Sequence, residues 1–172
     1  MSGICGIIEQ RQKTSSEDIT QYLSAMCREM QHRGPDDMGI YAPGMGIGLG
    51  AVRLGIFDLE GGHQPLSNQD GSLWVALNGE IYDFLQVRRE LEHLGHYFST
   101  QCDTEVVVHA YEEWGEDCIQ HLDGMFAFAI WDDRRKRFFI ARDRIGKRPL
   151  YYYSNEGIFL FASEIKALLK HP

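Results

Sequence analysis

Apolar residues recur every three or four positions in several segments, which is the spacing of an amphipathic helix. The first segment follows Ser15 or Ser16, either of which can cap a helix. Further helices are predicted at about 82–94, ending at Gly95, and at 103–115 and 163–169, with Asp103 and Ser163 as caps. The apolar stripe of the first helix consists of Ile19, Tyr22, Leu23, Met26, Cys27 and Met30. Cys27 is therefore predicted to be a core residue.

Short apolar runs between turn signals predict strands. An apolar run at 73–77 ends at Asn78-Gly79, a strong turn signal, and the glycine-interrupted segment 45–59 suggests two strands that meet near Arg53. Further strands are predicted at 125–131, 138–141, 150–153 and 158–161. Hairpins with a few helices between them predict an α+β fold, since a parallel sheet requires regular alternation of strands and helices.

Composition and charge limit the function classes. The chain has 172 residues, of which 44% are hydrophobic, and this suits one domain spanning residues 1–172. A formal net charge of −8 argues against nucleic acid or an anionic membrane as a partner, because both require a basic face. The sequence has neither a membrane-spanning run nor a signal-peptide pattern, so a soluble cytoplasmic protein is expected.

The cysteines and histidines give no metal-site signal in the sequence. Four cysteines lie far apart without a Cys-x-x-Cys pair, which predicts reduced thiols, mostly in the core. His93 and His96 are close enough in sequence to share a metal, but Gly95 lies between them near a helix end and no third ligand is evident. No metal site is therefore predicted.

Several separated motifs match one family in order along the chain. They are Arg33-Gly34-Pro35-Asp36, Arg53-Leu54, Gln64-Pro65-Leu66, Asn78-Gly79-Glu80-Ile81-Tyr82, Asp103-Thr104-Glu105, Gly124-Met125-Phe126-Ala127-Phe128-Ala129, Arg142-Asp143-Arg144 and Phe161-Ala162-Ser163-Glu164-Ile165-Lys166-Ala167-Leu168. With these motifs the chain resembles the glutaminase domain of asparagine synthetases over essentially its whole length. The resemblance implies a four-layer αββα sandwich of two antiparallel sheets, of the N-terminal-nucleophile hydrolase type.

The opening residues differ from the family at the nucleophile. Related amidotransferases begin Met-Cys-Gly-Ile-x-Gly-Ile, so Ser2 stands in the cysteine position and Cys5 in the variable one. A second register makes Cys5 the nucleophile, but it requires removal of residues 1–4, and no Met directly precedes Cys5. Ser2 is favoured, with removal of Met1 expected to expose its α-amine as the general base.

The resemblance also implies the roles of the remaining site residues. The side chain of Asn78 and the backbone N–H of Gly79 would stabilise the oxyanion, while Arg53 would bind the carboxylate of L-glutamine, and Asp103 with Glu80 its ammonium. Taken singly, each residue has an ordinary structural role as the alternative. Asn78-Gly79 could form a turn, Arg53 could be a solvated surface charge, and Asp103 could serve only as a helix cap. The chain departs from the family pattern at Ala51, Asp83-Phe84 and Cys102, which lie around these expected contacts.

The predicted function is a glutaminase-type domain that binds L-glutamine and releases glutamate and ammonia for a synthetase partner. The serine hydroxyl is a weaker nucleophile than a thiol, so activity is expected to be impaired. The domain needs no cofactor of its own. ATP and Mg²⁺ are expected only for a synthetase domain that this sequence lacks, so the chain is either part of a longer protein or works with a separate synthetase subunit. A homodimer is a further possibility. The alternative is a catalytically inactive module that binds glutamine or contacts another subunit.

Overall fold

The computed structural model describes residues 2–10, 14–55 and 61–172. The helices are α1 (Ser16–Glu29), α2 (Phe84–His93), α3 (Asp103–Trp114) and α4 (Ile165–Leu168), and a 3-10 helix spans Gly115–Gln120. The strands are β1 (Gly3–Glu9), β2 (Asp37–Gly44), β3 (Ile47–Arg53), β4 (Leu66–Ser67), β5 (Leu73–Ile81), β6 (Gly124–Asp132), β7 (Arg137–Arg142), β8 (Tyr151–Asn155) and β9 (Ile158–Ala162).

The strands form two antiparallel sheets, with strand orders β2-β3-β1-β9-β8 and β4-β5-β6-β7. Helices α1 and α4 cover the first sheet through one apolar cluster, and α2 and α3 cover the second through another. A third cluster, in which Ile4 and Phe161 face Ala76 and Ala129, joins the sheets to each other. The layers are therefore helix, sheet, sheet and helix, which confirms the predicted α+β sandwich.

Strand β1 lies in the middle of its sheet and is buried on both faces. It pairs with β3 on one side and β9 on the other. Because side chains of a strand alternate between faces, Ile4 packs between the sheets while Cys5 and Ile7 pack against the α1 layer. This parity determines which of the N-terminal side chains can face the second sheet.

One strand prediction was wrong, and another is tested only in part. Strand β5 continues through Asn78-Gly79 to Ile81 and pairs with β6 throughout, because neighbouring strands override the local turn preference. Of the two strands predicted in segment 45–59, the first is β3, which ends at Arg53. The second falls mainly on residues 56–59, which lie outside the described residues. The preceding strand β2 was not predicted, since its exposed and half-buried residues give little apolar pattern.

Two of the predicted helix caps were also wrong. Ser15 caps α1 by accepting the N–H of Asp18, as predicted, but α3 begins at Asp103 with Cys102 as its cap residue. The closing helix α4 begins at Ile165, because the hydroxyl of Ser163 instead accepts a buried hydrogen bond from the N–H of Ile4. No helix in the described part of the chain is long and apolar enough to cross a bilayer.

Candidate functional site

A cavity of about 200 Å³ lies where the end of β5 meets the start of β1. Five of the seven residues singled out from the sequence line it: Ser2, Arg53, Gly79, Glu80 and Asp103. Drug-sized ligands occupy pockets of roughly 300–1,000 Å³, so this cavity suits a smaller molecule. The remaining lining residues are Leu54, Gln64, Leu77, Cys102, Thr104 and Arg148.

Ser2 is held by contacts from two other segments. Its hydroxyl oxygen accepts the N–H of Leu54 at 3.4 Å, and its carbonyl oxygen accepts Nε of Arg33 at 3.0 Å. Arg33 in turn pairs with Glu164 at 3.2 Å. Burial opposes ionisation of Glu164, but hydrogen bonds from Arg33 and His32 outweigh it and lower the pKa of that carboxyl. The N-terminal segment is thereby fixed at the cavity.

Cys5 does not line the cavity. Its thiol is fully buried on the α1 side of the sheet, 3.6 Å from the sulfur of Cys27. The hydrogen bond with Cys27 and burial raise the pKa of Cys5 well above its ordinary value. A thiol in this environment resists forming the nucleophilic thiolate.

The edge of β5 directs backbone N–H groups at the cavity. The N–H of Leu77 donates to Oε1 of Gln64 at 2.7 Å, and the N–H of Ile81 donates to Oδ2 of Asp103 at 3.0 Å. Alternate N–H groups of a strand share one edge, so the N–H of Gly79 points the same way as these two. An added Cβ at Gly79 would lie 2.0 Å from the carbonyl oxygen of Met125, so only glycine fits there.

Asn78 lies beside the cavity and is not one of its lining residues. Its side chain is fully buried between the sheets, where Nδ2 donates to the hydroxyl of Ser163 at 3.3 Å. Its Oδ1 has no hydrogen-bond partner among the described residues. Unpaired buried polar atoms are rare in folded proteins and mark places where a ligand or water completes the structure.

The charged groups of the cavity include both signs. Arg53 is 8% exposed at the end of β3, and Gly62 lies so close to its guanidinium that a Cβ there would be 2.2 Å from Nη2. Asp103 opens α3, where burial and repulsion by Glu80 raise the pKa of its carboxyl despite the N–H of Ile81. A ligand with separate anionic and cationic groups matches this distribution.

Sequence reasoning missed three polar residues of the cavity wall, which are Gln64, Thr104 and Arg148. Gln64 connects Leu77 to Thr104 by accepting the N–H of Leu77 and donating to the Thr104 hydroxyl at 3.0 Å. Arg148 follows β7, and its buried Nε has no partner among the described residues. Gln64 lies in one of the quoted motifs and was available as a signal, whereas Arg148 has no distinguishing spacing.

The family model for the glutamine amidotransferase domain matches residues 1–172. The chain belongs to the glutamine amidotransferase domain family. Asparagine synthetase [glutamine-hydrolyzing] 3 of Bacillus subtilis (strain 168) is 41% identical over the whole of this amidotransferase domain, which covers 28% of that protein. The nodule asparagine synthetase [glutamine-hydrolyzing] of Pisum sativum is 43% identical over 98% of the domain, again covering 28% of the relative. The domain thus spans little more than a quarter of these relatives.

Solved structures show the same fold. The glutamine phosphoribosylpyrophosphate amidotransferase of B. subtilis, complexed with ADP and GMP, superimposes with a TM-score of 0.76 at 25% identity. The match covers 96% of the amidotransferase domain and 42% of that chain. The fold is therefore that of the N-terminal-nucleophile amidotransferases, as the resemblance implied.

Proposed function

We propose that this domain binds L-glutamine in the cavity and hydrolyses its side-chain amide to glutamate and ammonia, with Ser2 as the nucleophile. The observation behind the proposal is that Ser2 shares a small cavity with Arg53, Glu80 and Asp103. An arginine can form a bidentate pair with the α-carboxylate, and the two carboxylates complement the α-ammonium. The substrate amide would then lie near Ser2 and Gly79.

The chemistry requires that Ser2 be the first residue of the mature chain. Its α-amine takes the hydroxyl proton as Oγ attacks the amide carbon, and it returns a proton to the departing ammonia. The N–H of Gly79 stabilises the oxyanion that forms, and Nδ2 of Asn78, which gives one of its two hydrogens to Ser163, would donate the other to it. Water then cleaves the resulting ester, which releases glutamate and restores the hydroxyl.

The broader assignment follows the named relatives. We propose that residues 1–172 form the glutamine-hydrolysing unit of an asparagine synthetase-like protein, supplying ammonia to a synthetase domain or subunit in the cytoplasm. ATP and Mg²⁺ would serve only that synthetase part, and a homodimer stays a prediction. The supporting observation is the 41% identity to a glutamine-hydrolysing asparagine synthetase over the whole chain.

The test is the substitution Ser2→Cys in protein whose mature N-terminus has been established by mass spectrometry. A thiol near neutral pH supplies far more nucleophile than an alcohol, so glutaminase activity should rise by about tenfold or more. Ser2→Ala should abolish activity, and Cys5→Ala should leave it unchanged. If Cys5→Ala removed the activity and the chain started at Cys5, the assignment of Ser2 would be wrong.

The same experiment addresses a second candidate function. A domain that binds glutamine without hydrolysing it would show saturable binding by calorimetry, and Ser2→Cys would bring no activity. The serine itself favours this alternative, because it stands where the related enzymes have cysteine.

A further inference from the structure

Two histidines and a glutamate converge at a point away from the glutamine cavity. His96 follows α2, and His109 and Glu112 lie on α3. One ligand atom from each of the three lies within 4.8 Å of the other two. Nδ1 of His109 is 3.0 Å and Nδ1 of His96 is 3.5 Å from Oε2 of Glu112. We propose that His96, His109 and Glu112 form a binding site for a divalent transition metal ion such as Zn²⁺.

The two distances from the histidines to Glu112 fit tetrahedral coordination. Zinc–nitrogen and zinc–oxygen bonds of about 2.0–2.2 Å place neighbouring ligand atoms roughly 3.4 Å apart. The two contacts to Oε2 of Glu112 bracket this spacing, at 3.0 and 3.5 Å. Two imidazoles and one carboxylate are a donor set found in zinc proteins, and the fourth position is then taken by water.

Two of the three proposed ligands, His96 and Glu112, are also oriented by a second polar group. Nε2 of His96 lies 2.9 Å from Oε2 of Glu113, so the other ring nitrogen, Nδ1, faces the site. Oε1 of Glu112 accepts Nδ2 of Asn68 at 3.0 Å, which turns Oε2 toward the histidines. Metal-bound histidines typically donate their second nitrogen to a carboxylate in this way.

His109 provides an independent indication. It is 2% exposed, and its Nε2 has no hydrogen-bond partner among the described residues. Glu105 places Oε1 3.8 Å from that nitrogen. A metal on Nδ1 fixes the tautomer with hydrogen on Nε2, and a small shift of the ring then allows this hydrogen to reach Glu105.

Charge favours a dication at this place. Glu105, Glu112 and Glu113 surround the two rings, and a dication offsets the repulsion among their carboxylates. The aromatic ring of Phe98 packs edge-on against His109, so one side of the site is apolar. The outer side is open, since 29% of the Glu112 side chain is exposed, and this provides a path for the ion.

The bound ion would connect two segments of the fold. His96 lies beyond the end of α2, whereas His109 and Glu112 lie in the second half of α3. A metal shared between them adds a cross-link that the unfolded chain lacks, so it should stabilise the folded state. The site has no residue in common with the glutamine cavity.

The test uses the whole chain, freed of metal and titrated with ZnCl2. Binding should saturate at one zinc per chain. Tm should rise by roughly 5–10 °C at a zinc concentration one hundred times Kd. Because His109 is buried, the informative variants are Glu112→Gln and His96→Gln. Each should weaken zinc binding by about tenfold or more.

His93→Gln is the matched control, because His93 is exposed at the end of α2, outside the site. It should bind zinc as the parent does. Co²⁺ provides a second readout, through a visible absorption band that Glu112→Gln abolishes. Absence of saturable zinc binding would overturn the proposal, as would unchanged affinity in both ligand variants or equal loss in His93→Gln. Glutaminase activity enters none of these measurements, so they are independent of the function proposed for the cavity.

Discussion

At Gly79 the packing of the backbone and the proposed catalysis both depend on one residue. A Cβ at this position would lie 2.0 Å from the carbonyl oxygen of Met125 and 2.7 Å from Cα of Phe126. Contacts this short force β5 away from β6 and move the N–H that faces the cavity. Glycine is therefore required by packing as well as by the proposed oxyanion site.

We expect Gly79→Ala to reduce glutaminase activity by about a hundredfold or more, since losing one oxyanion donor has that effect in other enzymes. The measurement is steady-state ammonia release, made in the Ser2→Cys background if the parent is too slow. Gly71→Ala is a suitable control, because Gly71 also has a positive φ but a Cβ added there would meet no other part of the described chain within 4 Å. Equal activity in Gly79→Ala and the parent would contradict the proposed oxyanion site.

We expect Asp103 to make the proposed glutamine binding sensitive to pH. Burial and the charge of Glu80 raise the pKa of its carboxyl, and only the ionised form attracts the substrate ammonium. Affinity for glutamine should therefore fall as pH decreases, with a midpoint above the ordinary aspartate value of about 3.9. Calorimetric titration with glutamine at several pH values provides the measurement.

Two variants test this assignment. The Asp103→Asn variant should bind glutamine weakly, and its affinity should no longer fall as pH decreases. The Glu80→Gln variant should keep this pH dependence with a lower midpoint, because the charge of Glu80 no longer raises the pKa of Asp103. A pH profile that is unchanged in Asp103→Asn would assign the titration to another group.

At the scale of elements, Ser163 connects three strands. It follows β9, its hydroxyl accepts the N–H of Ile4 in β1, and the same oxygen accepts Nδ2 of Asn78 in β5. Its own N–H donates to the carbonyl oxygen of Ile4. One hydroxyl thus links the first sheet to the second next to the cavity.

Ser163→Ala should lower the free energy of unfolding by about 1–3 kcal/mol, because two buried donors lose their acceptor. Urea denaturation measures the change. The control is Ser154→Ala on the exposed edge strand β8, which should be within about 0.5 kcal/mol of the parent. A stability equal to that of the parent would mean that other acceptors replace the Ser163 hydroxyl.

The sequence predicted most of the helices and strands. It failed where pairing between segments distant in sequence determines the local structure. The apolar stripe of α1 and the bounds of α3 could be predicted because they follow from the spacing of apolar residues within each helix. Asn78-Gly79 was interpreted as a turn because that pair usually is one, but pairing with β6 keeps it extended. Serine is a common helix-cap residue, yet the hydroxyl of Ser163 accepts a hydrogen bond from the N–H of Ile4 in β1, 159 positions away in sequence.

At the scale of the whole molecule, the family motifs predicted the layered fold and five of the cavity residues. Arg148 and the proposed metal site could not be predicted, since each depends on segments that meet only after folding. His96 was paired with His93 in the sequence because they are neighbours there. In the folded chain its partners are on α3, where Glu112 supplies the third ligand that the sequence did not reveal.

The central place of β1 has a consequence for how the domain forms during synthesis. Ile4 and Ser163 are bonded across 159 positions of sequence, so β1 cannot complete its pairing until β9 has been synthesised. Until β9 leaves the ribosome, one edge of β1 has no partner and is open to wrong pairing. Ser2, the proposed nucleophile, is thus synthesised long before Ser163 and β9, which complete the structure next to the cavity.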